Sequence, residues 1–237
     1  HIEVQVIADS HGNVLHIGER DCSMQRRHQK LIEESPAIAL TPEIRAELHA
    51  SAVRATQYIK YEGAGTFEYL LDADKNFYFM EMNTRLQVEH CVSEMVSGLD
   101  LIEMMIRVAE GEALPPQESV VLAGHSIECR ITAEDPVKFL PCPGKITQWI
   151  APGGRNVRID THAHAGYIVP PTYDSMIGKL IVYGKDRNEA IERMHRALSE
   201  FTITGIKTTI PFHMKMMKNP DFINNHFDTK YLENYSG

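Results

Sequence analysis

Two apolar runs, residues 66–71 and 77–82, bracket the turn sequence Asp72-Ala73-Asp74-Lys75-Asn76, and each run carries one carboxylate, Glu68 and Glu81. Runs of this length, rich in Phe, Tyr and Leu and separated by Asp, Asn and Lys, predict an antiparallel hairpin within residues 65–89. Pairing of the two runs brings Glu68 near Glu81. Acids placed in apolar strands are costly to bury unless a cation or hydrogen-bond donors satisfy them. Together with the amide of Asn83 they form a hard oxygen set suited to Mg²⁺ or Mn²⁺, so Glu68, Glu81 and Asn83 are the candidate metal ligands. The alternative is a glutamate paired with Lys or Arg.

The chain continues as Met80-Glu81-Met82-Asn83-Thr84-Arg85-Leu86-Gln87-Val88-Glu89. Read as one strand, it places Glu81, Asn83, Arg85, Gln87 and Glu89 on a single face. Two readings stand: a solvated edge strand with internal ion pairs, or a polar face satisfied by ligands. Residues 21–30 (DCSMQRRHQK) are cationic and rich in donors. They suit phosphate, bicarbonate or carboxylate, or form a basic loop that binds nothing in particular. In Ser126-Ile127-Glu128-Cys129-Arg130-Ile131-Thr132, Arg130 either faces a site or pairs with Glu128 or another acid.

Other motifs fall short. Gly63-Ala64-Gly65 begins a dinucleotide fingerprint, but Glu68 stands at its sixth position. Ile177-Gly178-Lys179-Leu180 ends like a phosphate loop without its first Gly or its Ser/Thr. His162 and His164 share a strand face but lack a third ligand, and Met214, Met216 and Met217 read as core packing.

The rest of the chain predicts an α+β fold. Ile2, Val4 and Val6 alternate with Glu3 and Gln5 ahead of the turn Ser10-His11-Gly12-Asn13, giving a hairpin over 1–20. A polar stretch, 19–30, follows. Thr41 caps a helix whose apolar face is Ile44, Leu48, Ala52, Ala55 and Ile59. Asp100 opens a second helix, with Leu101, Ile102, Met105, Ile106 and Ala109 apolar, and Gly111 closes it. Residues 112–123 connect to a strand-rich region over 124–185, and helices return at 187–201 and 211–218. One seam, near residue 120, divides 1–120 from 121–237. A net charge of −8 argues against nucleic-acid backbones as partners. No apolar run reaches the roughly 20 residues of a membrane span. Four separated cysteines without a CxxC pair read as reduced thiols of a cytoplasmic protein. The start without Met, inside a strand-like alternation, reads as a piece of a longer polypeptide.

RDCSMQRRHQK (20–30), GTFEYL (65–70), FMEMNTRLQVEH (79–90), ECRITAEDP (128–136), FLPCPGKI (139–146) and PPTYDSMIGKL (170–180) resemble, in order, the biotin carboxylases of acetyl-CoA, pyruvate and related carboxylases. The resemblance implies the distal part of an ATP-grasp domain over 1–120, followed by the strand-rich C-terminal subdomain of that family over 121–237. It implies ATP- and bicarbonate-dependent carboxylation of biotin, carried on a biotin carboxyl carrier protein, through carboxyphosphate. A carboxyltransferase partner and a homodimer follow, with Arg155 and Arg158 in a stretch that could contribute to the dimer. Glu68, Glu81 and Asn83 would hold the metals. His1, Gln25 and His28, with Glu68 and Glu81, would contact ATP. Lys30 would contact bicarbonate or phosphate. Glu89 would deprotonate bicarbonate, Arg85 would steady bicarbonate and the biotin enolate, and Gln87 with the Val88 backbone would position bicarbonate. Arg130 would hold carboxyphosphate and the ureido oxygen. Cys91 stands where the family usually has Pro, and Ser93 where Thr is common. The family also has an N-terminal domain and a glycine-rich lid ahead of the matching start, so the resemblance implies that this span does not turn over alone. Another ATP-grasp carboxylate ligase and a non-catalytic assembly module are the rival readings.

Overall fold

The alternation at the start of the chain becomes β1 (Ile2–Ala8), which turns at 9–13 into β2 (Val14–Arg26). The turn is held by Asp9, whose carboxylate accepts from the backbone of His11 and Asn13 at 2.9 Å each. In the computed structural model, which describes residues 1–233, the chain forms two compact units. The first comprises 1–23 and 33–126; the second comprises 24–32 and the residues from 127 on.

In the first unit β1 lies between β2 and β4 (Gly63–Leu71), and β4 pairs in turn with β5 (Phe77–Asn83), all antiparallel. The predicted hairpin is therefore present, with the Asp72 carboxylate accepting from Asn76 N at 2.8 Å across the turn. Strand alternation sorts β1. Ile2, Val4 and Val6 enter an apolar core with Phe67 and Tyr69 of β4 and with Leu48 and Ala52 of α1 (Pro42–Ile59). Glu3 and Gln5 take the opposite face, yet they too are buried. Thr41 caps α1 as its position predicts. The helix is fixed to β2 through Glu19, whose carboxylate meets His49 Nε2 at 2.7 Å and Arg45 Nε at 2.7 Å. Ile59 is 53% exposed and does not belong to the apolar face expected of it, because the helix ends there in a left-handed Lys60.

Three further expectations are corrected between residues 19 and 109. The polar stretch 19–30 is no loop: β2 runs through it to Arg26, and after a left-handed Arg27-His28 turn the chain resumes as β3 (Gln29–Ser35). Glu19, Arg20, Asp21 and Gln25 are buried rather than solvated. The polar face expected over 80–89 ends with β5 at Asn83; the chain then folds back and enters α2 (His90–Ser97), a helix the alternation did not reveal. In α3 (Leu101–Ala109), Asp100 caps as expected, accepting from Glu103 N at 2.8 Å. Its buried side is Leu101 and Val108, while Ile102 and Ile106 are about half exposed. The connection at 112–123 holds only a short 3₁₀ turn, Gln117–Ser119.

The second unit is strand-rich, then helical. β6 (His125–Thr132), β7 (Gly144–Lys145), β8 (Gln148–Ile150), β9 (Val157–Thr161), β10 (Ile168–Val169) and β11 (Met176–Gly184) precede α4 (Arg187–Glu200), β12 (Thr202–Thr204), α5 (Ile210–Met216) and α6 (Pro220–Ile223). β11 pairs with β9, β10 with β7 and β12 with β8. Ile127, Cys129, Ile131, Leu180, Val182, Met194 and Leu198 fill one core, and Met216 and Met217 join it. His162 and His164 lean on the Tyr167 ring, and among the described residues no third metal ligand stands beside them. All four cysteines are free thiols.

Candidate active site

The register of the first unit's sheet places charged residues in a line. Arg20 of β2 is the partner of Glu3, Glu3 of Glu68, and Glu68 of Glu81. Cross-strand partners share a face, so Arg20, Glu3, Glu68 and Glu81 form one transverse row over four strands. Gln5, Thr66 and Asn83 form a second row beside it. A bulge in β5 makes this possible. Tyr69 pairs with Phe79 while Glu68 pairs with Glu81, leaving Met80 as the extra residue. Phe79 thus packs on Tyr69, with ring centroids 5.9 Å apart, while Glu81 still opposes Glu68.

The two candidate metal carboxylates are bridged by Asn83, whose Nδ2 lies 2.9 Å from Glu68 Oε1 and 3.2 Å from Glu81 Oε1. Gln87 Nε2 donates to the same Glu68 oxygen at 2.7 Å, and His1 Nε2 lies 3.0 Å from Glu68 Oε2 and 3.1 Å from Glu3 Oε1. An amide donor thus sits where two carboxylates converge. Rotating the Asn83 amide by half a turn would present its oxygen there instead, completing a hard three-oxygen set. The residues present fit a Mg²⁺ or Mn²⁺ ion.

Beyond β5 the remaining candidates separate. Arg85 is exposed; its guanidinium reaches Asn83 Oδ1 at 3.2 Å and Leu86 O at 3.3 Å. Gln87 and Glu89 are buried, and Val88 lies between them in the turn that leads into α2. The His90 ring and backbone both bond to Gln87 O, at 2.8 and 3.3 Å, which fixes that turn. Ligand atoms of Glu3, Cys22 and Glu89 lie within 4.8 Å of one another.

Arg20 is the residue that the reading of the sequence missed. Its side chain is fully buried and donates to Glu3, Gln5, Ser93, Thr66 and Gln87. Burial alone would lower its pKa, but Glu3 and then Glu89 outweigh burial and raise it above the ordinary arginine value. Next to it in sequence, burial lifts the Asp21 carboxyl to about 6, with Glu34 adding to the effect. The sequence signal was present in the run Glu19-Arg20-Asp21, but nothing in one strand says which neighbours its side chains will meet.

The second unit carries Gln25, His28, Lys30 and Arg130. Gln25 is buried, His28 is exposed in the left-handed turn and Lys30 is half-buried. Arg130, on β6, is half-buried, and its carbonyl accepts from His213 Nε2 at 2.8 Å and from Thr209 Oγ1 at 3.1 Å. Glu128, its possible partner, lies on the same strand, 3.9 Å from Lys179 Nζ.

Comparison with known proteins identifies the class. Residues 1–117 match the family model described as the carbamoyl-phosphate synthase L chain, ATP binding domain, and residues 128–234 match the biotin carboxylase C-terminal domain. An ATP-grasp-type fold is thus followed by that C-terminal domain in a mixed α+β chain. The chain belongs to the biotin carboxylase family. It is 56% identical over 235 residues to the biotin carboxylase of Nostoc sp. (strain PCC 7120), covering 98% of this chain and 53% of that protein. It superimposes with a TM-score of 0.98 on a crystal structure of a biotin carboxylase–beta-gamma-ATP complex from Campylobacter jejuni, at 67% identity, covering 99% of this chain and 52% of that one. The biotin carboxylase domain of Hydrogenobacter thermophilus 2-oxoglutarate carboxylase, solved as a dimer with MgADP, ADP and bicarbonate, gives a TM-score of 0.96 at 49% identity, with 98% and 52% covered. The chain therefore spans about half the length of the relatives it matches.

Proposed function

We propose that this chain provides the metal, bicarbonate and biotin residues of an ATP-dependent biotin carboxylase. The reaction it serves is the first half-reaction of acetyl-CoA carboxylase, feeding fatty-acid synthesis, or of a related carboxylase. Biotin arrives on a carrier protein and leaves to a carboxyltransferase. The observation that carries this reading is the opposition of Glu68 and Glu81 across the β4–β5 pair with the Asn83 amide between them.

The roles follow from chemistry. Bicarbonate is a poor nucleophile, and transfer of a phosphoryl group to it makes carboxyphosphate, an activated carboxyl donor. Such transfer asks for alignment and charge neutralisation more than covalent help. Glu68, Glu81 and Asn83 would hold a divalent ion, which when bound neutralises the ATP phosphates. His1, Gln25 and His28 would contact the nucleotide, and Lys30 the bicarbonate or phosphate. Gln87 and the Val88 backbone would orient bicarbonate for Glu89, which takes its proton. Arg85 and Arg130 would stabilise the negative charge that develops on the biotin ureido oxygen, and Arg130 would also hold carboxyphosphate. Bicarbonate and MgADP in the 2-oxoglutarate carboxylase relative support this set. A homodimer of the full-length protein is supported by that relative's dimeric form, with Arg155 and Arg158 as candidate contributors. A cytoplasmic setting is supported by four free thiols; no helix among the described residues is long and apolar enough to cross a membrane.

Direct binding of Mn²⁺·ADP tests the reading. The wild-type chain should bind it, weakly, and Glu81→Gln should weaken binding by about 10-fold or more. Equal binding by both would remove Glu81 from the metal site.

A further inference from the structure

The candidate site rests on a buried cation that touches none of the proposed ligands of metal or nucleotide directly. Arg20 Nη2 donates to Gln87 Oε1 at 2.8 Å, and Gln87 Nε2 donates to Glu68 Oε1 at 2.7 Å. The amide of Gln87 is therefore gripped at both ends, and its orientation is dictated by the arginine: only with its oxygen toward Arg20 does its nitrogen face Glu68. The other arms of the guanidinium are fixed independently. Nε and Nη2 meet Glu3 Oε2 at 3.2 and 3.1 Å, Nη1 meets Gln5 Oε1 at 2.7 Å and Ser93 Oγ at 3.1 Å, and Nη2 also meets Thr66 Oγ1 at 3.2 Å. Those partners sit on β1, β4 and α2, so one side chain links the sheet to the helix that follows Glu89.

We propose that Arg20 is a positioning residue of the biotin carboxylase reaction, acting through Gln87 to orient the Glu68 carboxylate toward the divalent ion. The inference rests on the functional reading above. Its physical basis is the fork of the guanidinium. A planar cation with five fixed donors can hold Glu3, Gln5, Ser93, Thr66 and Gln87 at once, whereas an ammonium offers three donors from one point. Arg20→Lys keeps the charge that balances buried Glu3 and gives up the fork. Outer partners of metal ligands commonly govern about 10–100-fold of metal affinity or activity, and that is the range expected here.

The test uses the full-length protein and measures three things for wild type, Arg20→Lys, Gln87→Met and the double variant. These are melting temperature, Mn²⁺·ADP affinity by calorimetry, and the Mg²⁺ dependence of biotin carboxylation. The expected result is that folded Arg20→Lys binds Mn²⁺·ADP at least about 10-fold more weakly and needs correspondingly more Mg²⁺. Gln87→Met should show the same shift, and the double variant should be no worse than Gln87→Met alone, because both changes cut one relay. Wild-type affinity in folded Arg20→Lys, or additive losses in the double variant, would overturn the inference. If Arg20→Lys does not fold, Gln87→Met decides: wild-type affinity there would overturn it too. Failure of the wild-type protein to bind Mn²⁺·ADP or to carboxylate biotin would instead bring down the functional reading itself.

Discussion

At the scale of single residues, the site is a problem of keeping charges buried and satisfied. Glu3, Glu68 and Arg20 all lie out of solvent, and each is tolerable only because the strand register sets acids beside donors. The second unit offers a cleaner titration. His213 is fully buried, its Nδ1 has no hydrogen-bond partner among the described residues, and burial lowers its pKa from 6.5 to about 4 despite the bond to Arg130 O. Between those values the unfolded chain binds the proton and the folded one does not. Stability from this group is therefore present above pH 6.5 and lost as pH falls toward 4, by up to about 3 kcal/mol. Thermal melts over that range should show the decline for wild type and a flatter curve for His213→Gln; equal slopes would remove His213 from the acid sensitivity. The opposition of Glu68 and Glu81 was legible in the sequence, because an acid inside an apolar run stands out and the turn between the runs sets their pairing. Arg20 was not, because a basic residue in a polar run looks solvated until its cross-strand partners are known.

Among the elements, the ones with local signals were readable and those set by tertiary contacts were not. Thr41, Asp100 and the Asp72 turn each act through a bond to a neighbour a few residues away, so their sequence patterns sufficed. The end of β5 at Asn83 was hidden, because alternating polar and apolar residues describe a strand and a folded-back turn equally well. The exposure of Ile102 and Ile106 was hidden for a related reason: helical periodicity finds an apolar stripe but not which part of it is covered. Capping can be tested directly. Asp186 accepts from Glu189 N at 2.9 Å while the Glu189 carboxylate accepts from Lys185 N at 2.7 Å, closing the first turn of α4. Asp186→Ala should destabilise the protein by about 1 kcal/mol in denaturant titration. A change within error would mean that packing of α4 on the second core, rather than its cap, holds the helix.

For the whole molecule, the candidate residues are divided between two units, and the chain accounts for about half of its relatives' length. The acid row and the Arg20 network are complete within the first unit, so metal·nucleotide binding is expected to survive in the 237-residue chain. Turnover is not expected of it, because the chain spans only about half the length of the biotin carboxylases it matches. The isolated chain should therefore show no biotin carboxylation above background, and a rate clearly above blank would contradict that division of labour. The chemistry itself is tested by ATP- and bicarbonate-dependent carboxylation of free biotin by the full-length protein beside its Arg85→Ala variant. Activity is expected in the first and a loss of roughly 10²–10³-fold in the second, about 3–4 kcal/mol of transition-state stabilisation. ATP hydrolysis coupled only to some other carboxylate, or an Arg85→Ala variant as fast as wild type, would contradict that chemistry.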